Sequence, residues 1–493
     1  CLLTVVVSMG SCKKFLEGRS QSEMTPETTL DYSELFFNEG YSKIDFFFQP
    51  AVMYMDDDIQ CYSYPTAFDQ PTAAEFPLAA FTWQPNYLQL LTGMGYVTEE
   101  GGNTYKKYYK CIAGCNIALD AVDKTIGTQE EKDQLKGEAL VLRAFYYFNL
   151  ANLYGNPYND STTTPEKQLA VPLILTSNLS DKMPVRNTVA EVYAQIGKDL
   201  LQGIALLEKK KKMSSYRMNY LAARLLASRV GLFTEKWDDV ISSASIVIND
   251  HPQILDLNDW PDDYYPDAET FKPICSKPNI DALWLFSDEL DYYDNRTAIV
   301  YGISEDLASK YEPTDIRSWI YISEIPDFIR MYAPIKFAPY KRLGNSDRNF
   351  SGSAFRATEA YLNRAEAYAQ LYIKTGDHTM GQKALDDLNA VRIKRFKPAD
   401  YQPVALMPAT ELLQFCRDER RREFCTEGHR WYDLKRYGMP SITHIYSRKG
   451  VTDKLYRLEA RDPQYNLQIP PVSMQMNYNL VQNPAGPERK PIN

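Results

Sequence analysis

Pairs of amphipathic helices with small residues on their packing faces are the feature that most constrains the fold of this chain. The segment LAARLLASRVGLFTEKWDDVISSASIVI contains one such pair, and YLNRAEAYAQLYIKTGDHTMGQKALDDLNAV contains another. In both, apolar residues recur every three to four positions, and Ala or Gly lets the two helices approach closely. This arrangement is typical of tetratricopeptide-like repeats, although here long insertions separate the pairs.

The same periodicity predicts a mainly α fold, a tetratricopeptide-like helix-pair scaffold with large irregular loop insertions. The predicted helices are Tyr105–Val122, Lys132–Tyr154, Val189–Glu208, Asn219–Phe233, Asp238–Asn249, Ala354–Tyr372, Met380–Arg395, Thr410–Glu427 and His429–Tyr437. Thr188 is placed to cap the third of these. We expect one domain over 12–493, with its scaffold at about 25–50, 105–250 and 354–437.

Two insertions, at about 54–87 and 252–345, hold much of the aromatic content. Loops longer than about 15 residues in a compact domain usually carry function. Rigid scaffolds commonly present binding residues on such loops. We therefore expect ligand recognition on the insertions.

Composition excludes some function classes. The chain has 493 residues and a net charge of −9, so nothing attracts it globally to nucleic acid. It contains 36 Tyr but only 6 Trp. Tyrosine combines an apolar face with a hydroxyl group, which suits a partly polar ligand, although most of these residues are expected to pack between helices.

The N-terminal stretch CLLTVVVSMGSCKK is typical of the end of an export signal. An apolar run precedes small residues and a cysteine, and the run is too short to span a bilayer. It is similar to a bacterial lipoprotein cleavage site, which predicts a signal remnant at residues 1–11 and lipid on Cys12. The alternative is an N-terminal strand or helix that packs on the domain.

Charge is concentrated beside apolar residues in RDERRREFCTEGHRWYDLKRYGMP, residues 417–440. One hypothesis is a catalytic triad of Cys425, His429 and Asp433, or a metal site at Cys425 and His429. The favoured hypothesis is a buried ion-pair clamp, since Arg420 would point inward near Glu423 and Glu427. The predicted clamp comprises Arg420, Glu423, Glu427, His429, Arg430, Trp431 and Asp433.

Other acidic and thiol groups are further candidates for chemistry. Asp56, Asp57 and Asp58 could supply glycosidase carboxylates, a calcium site or a hydroxyl-binding contact, but a solvated loop or helix terminus is the favoured interpretation. Cys111 and Cys115 share one helix face, where small buried positions are favoured over metal binding. We predict no catalytic residue, no metal site and no cofactor, with structural calcium as the alternative.

The stretch RDERRREFCTEGHRWYDLKRYG resembles the C-terminal hallmark of the SusD/RagB family of bacterial surface lipoproteins. LKGEALVLRAFYYFNLANLYGNP, ALDDLNAVRIKR and the IPP and QNP of the tail are similar to further family segments. The resemblance extends from Cys12 to Pro484. It implies a non-enzymatic, lipid-anchored protein on the outer face of the outer membrane. Such proteins pass oligosaccharides, or in some members oligopeptides, to a SusC-like TonB-dependent transporter.

Sugar rings favour flat aromatic platforms flanked by amides and charged groups. On the two insertions, the candidate ligand-binding residues are Trp83, Asn86, Tyr87, Tyr292, Tyr293, Asn295, Arg296 and Trp319. Ordinary loop packing is the alternative for each. A glycoside hydrolase and a helical-repeat interaction scaffold remain the other two function classes.

Overall fold

Paired helices form most of the structure, a computed structural model. It describes residues 26–42, 51–62, 75, 77–94, 102–208, 214–259, 274, 279–286, 301–325, 331–334, 353–448 and 451–493. The long helices are α1 (Thr29–Glu39), α5 (Thr104–Ala121), α6 (Gln129–Tyr154), α7 (Val189–Leu207), α8 (Tyr220–Phe233), α9 (Trp237–Asp250), α12 (Ala357–Thr375), α13 (His378–Arg392) and α14 (Ala409–Glu423). Shorter ones are α2 (Ala51–Met55), α3 (Leu78–Phe81), α4 (Tyr87–Gly93), α10 (Glu305–Ala308), α11 (Arg317–Ile320), α15 (Arg430–Arg436) and α16 (Pro471–Met476).

Successive long helices pack against one another from α1 to α14. Helix α1 packs on α5, α5 on α6, α6 on α7 and α8 on α9, while α12 contacts α9, α13 and α14. Three of these helices begin with reciprocal capping boxes, formed by Thr28 with Asp31, Thr128 with Glu131 and Thr188 with Glu191. The mainly α, tetratricopeptide-like scaffold is therefore present, and the predicted Thr188 cap is confirmed.

Two glycines explain how closely α6 and α7 approach. A Cβ atom added to Gly203 would lie 2.6 Å from Cγ2 of Val141 and 3.0 Å from the carbonyl oxygen of Gly137. A Cβ atom on Gly137 would in turn lie 2.9 Å from Leu207. The crossing therefore has no room for a side chain at these two positions.

Among the residues that the structure describes, short strands that the sequence did not predict form three small antiparallel sheets. The strands are β1 (Ile59–Cys61), β2 (Ala282–Phe286), β3 (Tyr301–Ile303), β4 (Ile322–Ile325), β5 (Met331–Pro334), β6 (Ser353–Arg356), β7 (Ile442–Arg448) and β8 (Val451–Leu458). One sheet has the order β1-β3-β5-β4 and so joins the two insertions, with Ile59 opposite Ile303. The others are the pair β2-β6 and the hairpin β7-β8.

Most predicted helix bounds differ from the observed ones by one to four residues, and two of these differences have a clear local cause. Residues 354–356 belong to β6, so α12 begins at Ala357 instead of Ala354. Helix α14 ends at Glu423 instead of Glu427. Thr426 and Gly428 have φ angles of 64° and 74°, and this left-handed backbone cannot continue a right-handed helix.

The C-terminal tail closes onto the C-terminal end of α6. The Asn483 amide donates to the carbonyl oxygens of Tyr154 and Leu467 at 2.9 and 2.7 Å. The buried ammonium of Lys435 donates to the Gly155 carbonyl oxygen at 2.8 Å. These donors satisfy carbonyl groups that the end of a helix leaves without partners.

A main hydrophobic core runs through the helical scaffold, and a smaller cluster lies under the second insertion. The smaller cluster includes Leu257, Ile303, Leu307, Tyr321 and Cys425. In the described part of the chain, no helix combines the length and the apolar character needed to cross a bilayer.

Candidate functional site

Glu423, the last residue of α14, accepts hydrogen bonds from three buried arginines. Arg317 and Arg356 donate at 3.0 and 2.9 Å, and Arg395 donates to both oxygens at 2.8 and 2.9 Å. All four side chains are 0% exposed. Burial raises the pKa of Glu423, but the guanidinium groups of Arg395 and Arg356 outweigh it and hold that pKa well below its usual range. An ionised carboxylate is therefore stable in the interior because its charge is fully paired.

Two further glutamates extend this ion network on either side of Glu423. Glu419 accepts hydrogen bonds from Arg392 and Arg422 at 3.1 and 2.6 Å. Glu427 receives both Nε and Nη2 of Arg356, at 3.1 and 2.7 Å. Arg356, directly before α12, and Arg392, at the end of α13, therefore bind the last turn of α14 and the turn that follows it.

Arg420 belongs to a second part of the network that joins α14, α15 and α12. Its guanidinium donates to Asp433 at 3.1 Å and to Asn363 at 2.7 Å, and it lies 3.1 Å from Nδ1 of His429. The His429 ring stacks on Phe424 with 4.5 Å between centroids. These contacts fix the angle between α14 and α15, the two helices of the hallmark segment.

The predicted clamp residues are paired, but several partners differ from those expected. Arg420 binds Asp433 and Asn363 instead of Glu423 and Glu427, and Arg430 binds Asp57. The reason is that helical spacing reveals only neighbours on one helix. In the interior, two-pronged pairs with other elements satisfy more donors. Trp431 is fully buried and stacks on Tyr465 at 4.8 Å, as core packing requires.

The three consecutive aspartates directly follow the end of α2, as the helix-terminus interpretation allows, but burial of Asp56 and Asp58 corrects the expectation that they are solvated. Asp56 and Asp58 are 5% and 4% exposed. Asp58 accepts from Arg421 at 2.6 Å, and both oxygens of Asp57 accept from Arg430 at 2.6 and 2.8 Å. Asp57 and Asp58 are thus engaged by guanidinium groups, which argues against the calcium and glycosidase alternatives at this place.

Burial and charge separate the pKa values of Asp56 and Asp57. Burial raises the pKa of Asp57, but the hydrogen bond from Arg430 and the charge of Arg421 outweigh it and lower that pKa to about 2. Burial raises the pKa of Asp56 well above its usual range, and the charges of Asp58 and Asp57 raise it further. Asp57 is therefore a permanent anion at neutral pH.

The catalytic-triad hypothesis does not fit the position of Cys425. Its thiol is 0% exposed, and the Tyr311 hydroxyl donates to the sulfur at 3.3 Å. Asp433, the proposed orienting group, accepts hydrogen bonds from Arg420 and Arg436. A nucleophilic cysteine needs an accessible thiolate, so these residues act as packing and ion-pairing groups.

Trp83 is fully buried, which corrects its prediction as a ligand platform. Its ring and that of Phe81 each stack on the His444 imidazole with 4.2 Å between centroids. The Trp83 indole donates to the carbonyl oxygen of Met55 at 2.8 Å. The apolar surface of the indole is therefore used to join the first insertion to β7.

The remaining ligand-binding candidates differ in accessibility. Asn86 is exposed at the start of α4, whereas Tyr87 is 8% exposed and lies in the main core. Trp319 is partly buried against the smaller cluster. Tyr87 therefore has little surface for a ligand, and Asn86 and Trp319 are the described candidates that reach solvent. Tyr292, Tyr293, Asn295, Arg296 and the predicted lipidation site Cys12 lie outside the described residues.

Sequence reasoning missed several members of the ion network, notably Arg317, Arg356, Arg395 and Arg421. One signal was present, since three adjacent arginines on a helix point in three directions and each needs its own partner. Arg317 binds its neighbour Asp315, but the Glu423 carboxylate that it shares with Arg356 and Arg395 lies 106, 67 and 28 positions from the three arginines.

The geometry defines a class of protein, a helical-repeat scaffold with two insertions anchored by a buried ion network. Across the residues that the structure describes, no group of three or more His, Cys, Asp or Glu is placed to hold a metal ion.

Family models match two long parts of the chain. A model of the SusD-like type, described as "Starch-binding associating with outer membrane", matches residues 14–232. The SusD family model matches residues 328–485. The chain belongs to the SusD family.

Known relatives support this assignment over nearly the whole length. SusD-like protein P25 from Formosa agariphila is 21% identical and covers 96% of both chains. The crystal structure of a SusD-like carbohydrate binding protein from Bacteroides vulgatus is 18% identical, with a TM-score of 0.66 over 92% of this chain and 97% of that one. A SusD superfamily protein from Bacteroides thetaiotaomicron is 21% identical, with a TM-score of 0.66 over 93% and 100%. Likeness at this identity shows a shared fold.

Proposed function

We propose that this protein binds glycans at the cell surface and passes oligosaccharides to a SusC-like TonB-dependent transporter, without catalysing a reaction. Its membership of a family whose model is described as starch-binding carries the proposal. Full-length likeness to a SusD-like carbohydrate binding protein supports it. On this proposal Cys12 is lipidated and anchors the protein to the outer membrane, which mass spectrometry of the protein from its native host would test.

The insertions are the proposed ligand-binding surface. The half-buried ring of Trp319 offers an aromatic face, and the exposed amide of Asn86 can bind sugar hydroxyl groups. Tyr292, Tyr293, Asn295 and Arg296 add aromatic and polar groups on the second insertion. Rings of this kind pack against the apolar faces of sugars, while amides and guanidinium groups supply directional hydrogen bonds.

An oligopeptide ligand is the second candidate, favoured by 36 Tyr against 6 Trp. Tyrosine hydroxyl groups can bind peptide carbonyl and amide groups as readily as sugar hydroxyl groups. The two ligand classes therefore need to be compared on the same protein.

Isothermal titration calorimetry of purified protein against soluble starch, other polysaccharides and a peptide digest tests the proposal. We expect saturable binding of at least one polysaccharide, weakened about five- to thirtyfold in Trp319→Ala and in Tyr292→Ala, because stacking contributes about 1–2 kcal/mol.

Tyr478→Ala is the matched control, since this tyrosine is 80% exposed and lies in the tail, outside both insertions. Its affinity should equal that of the unmodified protein. Binding of peptides alone would favour the second candidate. Release of reducing sugar during the titration would contradict a purely binding role.

A further inference from the structure

Arg421 lies in the last turn of α14 and contacts both insertions. Its Nε donates to Oδ1 of Asp58 at 2.6 Å, and its Nη2 donates to the carbonyl oxygen of Asp57 at 2.9 Å. Its Nη1 donates to Oδ2 of Asp306, in the second insertion, at 2.6 Å. One guanidinium group thus uses all three of its nitrogens to bridge segments that are remote in sequence.

Arg430 completes this contact from α15. Its Nε and Nη2 bind the two oxygens of Asp57 at 2.6 and 2.8 Å, the two-pronged geometry that fits a guanidinium to a carboxylate. Helix α15 therefore binds the Asp57 side chain through Arg430, and helix α14 binds the Asp57 backbone through Arg421.

The two insertions also bind each other directly at this point. The Ser304 amide donates to the carbonyl oxygen of Asp58 at 2.7 Å, and its hydroxyl donates to that of Asp57 at 2.8 Å. Strand β1 pairs with β3, and the Tyr62 hydroxyl donates to the carbonyl oxygen of Ile303 at 2.6 Å. A shift of one segment would break contacts of the other.

Burial decides which of these contacts matters most. The Arg421 and Asp58 side chains are 3% and 5% exposed, whereas Asp306 is 67% exposed. A charge pair shielded from water depends strongly on geometry, whereas an exposed pair contributes little. The link to the second insertion therefore runs mainly through Asp58, Ser304 and the β1–β3 pairing.

We propose that Arg421 and Arg430 are positioning residues that keep the two insertions in a fixed arrangement relative to each other. This arrangement in turn sets the affinity for a ligand that contacts either insertion. The affinity part rests on the proposed function, whereas the coupling of the insertions can be tested without a ligand.

Hydrogen exchange measured by mass spectrometry tests the coupling in Arg421→Lys. Lysine keeps the charge but cannot bridge three partners. We expect amide exchange to rise about tenfold or more in residues 51–62 and 301–311 together, while exchange in α6 stays unchanged.

Arg143→Lys is the matched control. Arg143 is also buried and binds both oxygens of an aspartate, Asp199 on α7, at 2.8 Å, but it touches neither insertion. This variant should accelerate exchange around its own helices and leave both insertions unchanged.

Ser304→Ala is a milder variant for use if Arg421→Lys does not fold. It removes a contact from the second insertion, yet it should also accelerate exchange in residues 51–62. Faster exchange confined to one insertion, or equal changes in the insertions of Arg143→Lys, would overturn the proposal.

Soluble starch and the other polysaccharides of the binding panel provide the second readout. For any one that binds, Arg421→Lys should weaken affinity at a temperature where it is fully folded, and Arg143→Lys should not. Unchanged affinity in Arg421→Lys would overturn the affinity part. If no polysaccharide binds, the proposed function fails, but hydrogen exchange still decides whether the insertions are coupled.

Discussion

At the scale of single residues, His444 shows how a buried polar group joins two parts of the chain. Its Nδ1 lies 2.7 Å from the carbonyl oxygen of Phe81, and its Nε2 lies 2.8 Å from that of Asp56. Burial lowers its pKa to about 4, although the two carbonyl groups oppose this effect. The neutral imidazole therefore persists in the folded protein well below the pH at which a free histidine is protonated.

Stability should consequently fall as the pH falls from about 6.5, the pKa of histidine in an unfolded chain, towards 4. In this window the unfolded state binds the extra proton and the folded state does not, which disfavours folding. Through His444 alone, the free energy of unfolding should be about 2–3 kcal/mol lower at pH 4.5 than at pH 7. Urea unfolding at both pH values measures it.

His444→Gln is the comparison for this prediction. The variant should be less stable than the unmodified protein at pH 7. Its free energy of unfolding should nevertheless fall less between pH 7 and pH 4.5 than that of the unmodified protein. Carboxylates that titrate in both proteins cancel in this comparison. Equal losses would show that His444 does not remain neutral.

The sequence could not reveal the role of Trp83 or His444. An aromatic residue in a long polar insertion has the same local pattern whether it faces a ligand or a neighbouring strand. The distinction depends on β7, which lies more than three hundred residues away from Trp83 in the chain.

At the scale of elements, helix contacts are decided by a few small residues. Gly203 lies where α7 crosses α6, whereas Gly197 is exposed on the same helix with no atom within 4 Å of an added Cβ. The two glycines therefore respond to the same substitution in opposite ways.

Gly203→Ala should destabilise the protein by about 1–3 kcal/mol, because the added methyl group meets Val141 and a backbone oxygen of α6. Gly197→Ala should stabilise it by about 0.5–1 kcal/mol, since alanine favours helix more than glycine does. Thermal unfolding of both variants measures the difference. A gain in stability for Gly203→Ala would show that the crossing can open at little cost.

Helices were predictable at this scale because their signals are local. The apolar period and the Thr188 cap lie within or directly beside the helices that they define. Strands β1 and β3 were not predictable, since each has only three residues and depends on a partner from the other insertion.

At the scale of the whole molecule, ion pairs connect segments that are distant in sequence. Arg421 and Asp58 are 363 positions apart, and Arg430 and Asp57 are 373 apart. Charge beside apolar residues indicated buried pairing in the hallmark. The partners could not be assigned, because their proximity is a product of the complete fold.

Glu423→Gln should destabilise the protein by about 3–5 kcal/mol, since it leaves three buried guanidinium groups without their shared anion. Glu427→Gln should cost less, because its partner Arg356 retains Glu423 and Asp281. Denaturant unfolding of the two variants gives the comparison.

Ligand affinity of the folded fraction should be unchanged in Glu427→Gln, as expected of a purely structural pair. Loss of affinity without loss of stability would instead place Glu427 at the binding surface. A smaller cost for Glu423→Gln than for Glu427→Gln would contradict the central position of Glu423 in the ion network.

The closure of the tail on α6 has a consequence for biosynthesis. The chain is made from its N-terminus, so the Tyr154 carbonyl oxygen can bind Arg186 early, whereas the hydrogen bonds from Lys435 and Asn483 form only after those residues have emerged. A nascent chain that stops before them leaves the end of α6 without these two donors. Truncation before Asn483 should therefore lower the amount of folded protein in the cell, because quality-control proteases degrade chains that cannot form these last contacts.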